Sequence, residues 1–89
     1  MFNPIKKFQQ FKLRKAIESY KTLEGFLNLR AKQLRAEILQ TRQEYKGTHS
    51  KVLLSHVDNL EVELDKIDDS LLGFKINKSA LETKLQQSA

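Results

Sequence analysis

The histidines and acidic residues of the sequence decide whether it could form a metal or catalytic site. Helical metal sites place a histidine and a carboxylate three or four positions apart, so that both reach one ion. Neither His49 nor His56 has an aspartate or glutamate at those positions. The adjacent acids Asp68 and Asp69 point to different sides of a helix and cannot share one ligand. We therefore predict no catalytic residue, no metal site and no cofactor.

Other residue types that serve enzymes are scarce. The chain has no cysteine, which excludes thiolate zinc ligands and a cysteine nucleophile, and its three glycines form no phosphate-binding loop. We expect a protein that is not an enzyme and has no small-molecule substrate. The longest strongly apolar run is Val52-Leu53-Leu54, so no signal peptide or transmembrane segment is predicted. The expected location is the cytoplasm or a macromolecular assembly.

The first fifteen residues are basic and aromatic. The net charge of +5 is uneven, because residues 1–46 hold 11 basic and 4 acidic residues, whereas residues 47–89 hold 5 and 7. Such an arm suits an acidic protein surface, a phosphate backbone or a membrane surface, or its rings could pack on a neighbouring copy. An acidic protein partner is the leading prediction. The predicted docking residues are Phe2, Ile5, Lys6, Lys7, Phe8, Phe11, Lys12, Arg14 and Lys15.

The elements that must carry this arm are two long helices. Asn3-Pro4 is typical of a helix start, and Gly47-Thr48-His49-Ser50 is the first break in the chain. Gly47 suits the left-handed residue after a helix end, and Ser50 suits a cap. We predict helix 1 over 4–46, with the arm at 1–15 continuous with it, a turn at 47–50 and helix 2 over 51–86.

Apolar residues recur with heptad spacing in both helices, which predicts a helix–helix interface. The series in helix 2 steps by four and three without a slip and has one polar member, Lys78. The series in helix 1 is interrupted by Glu24, Ala31 and Thr41. The predicted interface residues are Leu27, Leu34, Ile38, Leu53, Val57, Leu60, Leu64, Ile67, Leu71, Phe74, Leu81 and Leu85.

The two heptad frames do not join across the break. Continuing the first frame from Tyr45 by seven predicts Val52, but the second frame uses Val57. A shift of five would turn the seam away from its partner, so a single long helix is disfavoured. The fold class predicted is all-α: an antiparallel helical hairpin resembling a coiled coil, which assembles into a multi-helix bundle. In such a hairpin about the first ten residues overhang the end of helix 2.

Apolar residues outside the seams gather at one level of this hairpin, which indicates a second packing face. Two glycines at that level suggest that another backbone packs closely there. The residues are Gly25, Phe26, Leu29, Leu72, Gly73 and Ile76. We therefore predict a non-enzymatic structural or assembly protein, which pairs with itself or with another protein of a complex. The alternative is a small nucleic-acid-binding regulatory hairpin dimer, and the third choice is a peripheral membrane-surface protein.

Overall fold

In the computed structural model, which describes residues 4–88, the chain forms two long helices joined by a short turn. Helix α1 spans Pro4–Thr48 and helix α2 spans Lys51–Gln87. They pack side by side as an antiparallel hairpin, which confirms the predicted all-α fold class. The hairpin measures 72 × 15 × 14 Å, and its radius of gyration is 20.1 Å. A compact domain of this length would have a radius of about 12 Å, so the fold is a rod.

The core is a single layer of side chains between the helices. Leu34 at its centre is completely buried. The residues of both heptad seams are buried or half-buried, whereas nearly all positions between them are exposed. The buried apolar residues among those described are Ile17, Ala31, Leu34, Ile38, Val57, Leu60 and Ile67. The core is densest in the half nearest the turn, since six of these seven form one cluster there.

The residue with left-handed backbone conformation in the turn lies two positions after the predicted Gly47. Helix α1 continues through Gly47 and Thr48, and His49 has the positive φ of 56°. The His49 amide donates to the Tyr45 carbonyl at 2.7 Å, which is the bond of an αL helix cap. The prediction that Gly47 takes this conformation was therefore wrong: two more residues keep helical bonds before the chain reverses. Ser50 precedes α2 without a side-chain capping bond.

Ion pairs connect the helices on both sides of the seam. Arg30 bridges Glu63 at 2.9 Å on one side, and Arg35 bridges Asp68 at 3.5 Å on the other. Arg42 joins Glu61 beside the second pair. All these side chains are exposed by two-fifths or more, so each pair contributes little stability but helps to set the register.

The open end of the hairpin shows where α2 stops. The side-chain amide of Gln10 donates to the Ser88 carbonyl at 2.8 Å, so these residues lie at one level. Residues 4–9 therefore extend beyond α2, which is slightly less than the predicted overhang. Phe11, Lys12, Arg14 and Lys15 lie alongside the last turns of α2 instead, because α2 continues to Gln87.

Candidate functional site

The basic aromatic arm presents its rings and its cations together. The Lys12 ammonium lies 4.8 Å from the centre of the Phe8 ring, and the Lys15 ammonium lies 5.4 Å from that of Phe11. Both pairs are four residues apart, the spacing at which helical side chains meet. Phe8 and Phe11 are nevertheless more than half exposed. Each ring thus lies against an exposed lysine of its own helix.

The other predicted arm residues differ in how far the structure describes them. Ile5, Lys6 and Lys7 lie on the exposed first turn of α1, and Arg14 is also exposed. Phe2 lies outside the described residues. A shallow groove beside Lys12 adds a further cation, Lys84 of α2, which the prediction for the arm did not include. The basic character of this end therefore comes from both helices.

The six residues predicted as a second packing face lie at one level but on different sides of the rod. Phe26 is four residues before Arg30 and so lies beside the Arg30–Glu63 pair. Leu72 is four residues after Asp68 and so lies beside the Arg35–Asp68 pair on the opposite side. Leu29 continues the first patch, and Ile76 continues the second. All four side chains are more than half exposed, so the rod carries two apolar patches instead of one face.

The two glycines at this level have no close neighbour on the side where a β-carbon would lie. A β-carbon added to Gly25 or Gly73 would meet no atom within 4 Å. The idea that the partner helix packs closely on them is therefore wrong for the contact inside one chain. A pocket lined by both helices does exist on the Leu72 side, where Asn28 and Lys75 border it, but it is open and shallow.

Two cross-helix contacts were not predicted from the sequence. His56 approaches Glu37, with 3.2 Å between Nε2 and Oε1. The i, i+3 and i, i+4 spacing rule covers only acids on the same helix, and Glu37 belongs to the other helix. Likewise Lys78 pairs with Glu24 at 3.0 Å, although the heptad pattern shows each of them only as a polar interruption of its own seam. Knowledge of the pairing register would have found both contacts.

Chemically, the exposed apolar side chains of these surfaces are suited to contact with protein. Within residues 4–88 no three histidine or acidic side chains cluster closely enough to hold a metal ion. Neither described helix has a stretch apolar enough to cross a membrane. What the geometry offers is an extended surface of exposed apolar side chains with charges between them.

Fold and surface together define an extended helical hairpin with exposed apolar residues, of the kind that packs into oligomers or complexes. Comparison with protein-family models, with curated proteins and with solved structures gives no match.

Proposed function

We propose that this protein is a non-enzymatic assembly module, a rod whose outer surfaces pack against other protein chains and whose basic aromatic end docks on an acidic protein surface. The observation that carries the proposal is the exposure of large apolar side chains along the rod's outer faces. Phe26 is 67% exposed, Ile76 is 60% exposed and Leu72 is 59% exposed. Burial of each such side chain in an interface would contribute about 1.5–3 kcal/mol.

The surface area supports the same proposal. A compact monomer of 10.4 kDa exposes about 5,400 Å² by the usual scaling with mass. This hairpin exposes 6963 Å². The difference, about 1,500 Å², equals about two standard interfaces at about 800 Å² for each partner. The single layer of core side chains buries little apolar area in this rod. Neighbouring chains that cover the outer faces would bury more.

The arm favours an acidic protein over a nucleic acid as its partner. Nucleobases that stack on Phe8 and Phe11 would compete with Lys12 and Lys15 for one face of each ring. Carboxylates of a protein partner can approach the exposed Lys12 and Lys15 side chains while these stay on the rings. An acidic helix with apolar side chains would use the rings and the cations at once.

The test combines solution mass with crosslinking in the cells that produce the protein. Light scattering is measured over a wide range of concentration, and a photo-crosslinking amino acid is placed at Phe26, with Gln43 as the exposed polar control. We expect the mass to rise with concentration, or a discrete adduct to form from position 26 and not from position 43. A monomer at every concentration, together with no adduct beyond the control, would overturn the proposal.

The nucleic-acid alternative makes a separate prediction. If the arm binds a phosphate backbone, affinity for single-stranded RNA or DNA should fall steeply with salt concentration. Replacement of Lys12, Arg14 and Lys15 by Glu should then abolish that binding, as measured by fluorescence anisotropy. We expect only weak binding of the unmodified chain, and tight, salt-sensitive binding would favour the alternative.

A further inference from the structure

Each helix carries a second heptad stripe on its outer face, away from the core. On α1 the stripe is basic and apolar, and on α2 it is acidic and apolar; every member is exposed. We call these the basic stripe and the acidic stripe. The basic stripe consists of Ile5, Phe8, Lys12, Lys15, Ser19, Thr22, Phe26 and Leu29. The acidic stripe consists of Asp58, Val62, Asp65, Asp69, Leu72 and Ile76.

The charges of the two stripes form no ion pair within the described residues 4–88. Within residues 4–88, Asp58, Asp65 and Asp69 take part in no ion pair, unlike Glu61, Glu63 and Asp68 beside them. Lys12 and Lys15 contact phenylalanine rings and no carboxylate. Each stripe therefore offers charges of one sign, interleaved with exposed apolar side chains.

From this complementarity we infer that the acidic partner of the arm is a second copy of this chain, whose acidic stripe receives the basic stripe in an antiparallel contact. This inference rests on the proposed assembly function and names its partner. Both stripes step by three and four, so one alignment matches the six members of the acidic stripe with the six members of the basic stripe from Ile5 to Thr22. With Phe8 opposite Leu72, Lys12 falls opposite Asp69 and Lys15 opposite Asp65. The same alignment places Ile5 opposite Ile76.

The contact cannot close into a simple two-fold dimer that uses both stripes. The acidic stripe runs beside the Arg35–Asp68 and Arg42–Glu61 pairs, since Asp65 and Asp58 lie three residues before those acids. The basic stripe runs on the other side of the rod, where Phe26 lies beside Arg30. One neighbour can therefore cover only one stripe of a given copy. The association is head-to-tail and continues from copy to copy.

The alignment also fixes a stagger between neighbours. Within one chain Leu72 lies level with Phe26, because Glu24 and Asn28 border the same groove. In the neighbour the residue at that level is Phe8, which is 18 positions earlier. At 1.5 Å per residue, successive copies are displaced by about 27 Å along the rod. Each copy then has two partners. This number agrees with the surface area that the hairpin exposes beyond that of a compact monomer, which equals about two standard interfaces.

Charge reversal tests the contact in solution. One variant carries Lys12→Glu with Lys15→Glu, and the other carries Asp65→Lys with Asp69→Lys. We expect each alone to associate about tenfold more weakly than the unmodified chain in sedimentation velocity, because attraction becomes repulsion. An equimolar mixture of the two should associate again. Asp58→Lys is the matched control, since Asp58 faces Thr22 in this alignment, and it should change association less than twofold.

Disulfide trapping tests the alignment itself. The chain has no cysteine of its own, and residues 8 and 72 of one copy are too far apart to form a disulfide. The double variant Phe8→Cys, Leu72→Cys should therefore give a ladder of crosslinked oligomers on mild oxidation. The control Phe26→Cys, Leu72→Cys should give none.

The outcomes separate this inference from the proposed function. Failure of the mixture to recover, or a ladder only from the Phe26 control, would overturn the inference even if the unmodified chain is oligomeric. In that case the assembly function stands with a different contact. Circular dichroism of every variant confirms that the helices are retained, and the recovery of the mixture excludes misfolding as the cause of a loss.

Discussion

Lys78 and Glu24, the polar members of two otherwise mostly apolar seams, meet each other across the helix interface. The ammonium lies 3.0 Å and 3.1 Å from the two carboxylate oxygens, and both side chains are about one-fifth exposed. At these positions each charge would be costly alone, since it is largely removed from water. Only one pairing register brings them together, so the pair helps to specify the alignment of α1 with α2.

We expect removal of one partner of this pair to destabilise the hairpin more than removal of both. Glu24→Leu or Lys78→Leu alone should lower the free energy of unfolding by about 1–3 kcal/mol, because the remaining charge loses its partner. The double leucine variant should be close to the unmodified chain, or more stable. Urea denaturation of all four proteins gives the double-mutant cycle. Additive losses would show that the two charges do not interact.

Leu34 should be among the most sensitive residues of the core. It is completely buried, so Leu34→Ala removes apolar contacts and leaves a cavity, with an expected loss of about 2–5 kcal/mol. Leu39→Ala is the matched control in the same helix, where the side chain is 61% exposed and the loss should be below about 0.5 kcal/mol. Thermal and urea unfolding measure both. Equal losses would contradict the observed core.

Alanine should stabilise the helices at the two glycines in their middle. Gly25 and Gly73 lie within α1 and α2, and an added β-carbon would meet open space. Each substitution should raise the free energy of unfolding by about 0.5–1 kcal/mol, because it restricts the unfolded chain. The measurement is urea denaturation of dilute protein. If alanine destabilised the chain there, a close backbone contact would have to exist.

The turn should favour glycine at residue 49. His49 has a φ of 56°, a conformation that side chains with a β-carbon disfavour. Relief of this backbone strain in His49→Gly should stabilise the hairpin by about 0.5–1 kcal/mol. The same substitution removes the contact between the His49 and Tyr45 rings, whose centres are 5.5 Å apart, and any stabilisation from that contact is lost. His49→Ala removes the ring but keeps the backbone penalty, so it separates the two effects. A glycine variant no more stable than the alanine variant would show that the backbone is unstrained.

Much of the fold follows from local patterns. The heptad steps of α2 and the break after Tyr45-Lys46 predict two helices and a turn, because helix periodicity and frame continuity are properties of consecutive residues. The predicted end of α1 is two residues too early. A helix ends where its last backbone hydrogen bond is lost, and not where glycine first occurs.

The candidate surfaces were less predictable than the core. Their common level in the hairpin predicts one face for residues such as Phe26 and Leu72, but their angular positions place them on opposite sides. On α2, Asp58, Asp65 and Asp69 are exposed and form no ion pair within residues 4–88, whereas Glu61, Glu63 and Asp68 beside them pair with arginines of α1. The side on which a residue lies depends on its angular position relative to the seam, and not on its level along the rod.

The sequence by itself determined that this chain forms two amphipathic helices with one turn, a basic aromatic beginning and an excess of cations in its first half. Local propensity and spacing suffice for these features. The tertiary structure alone decided which charges pair across the interface, which side of the rod each apolar patch occupies and which acids remain unpaired within the described hairpin. Those properties arise only when α1 and α2 settle into one register, because contacts between residues far apart in the chain depend on that alignment.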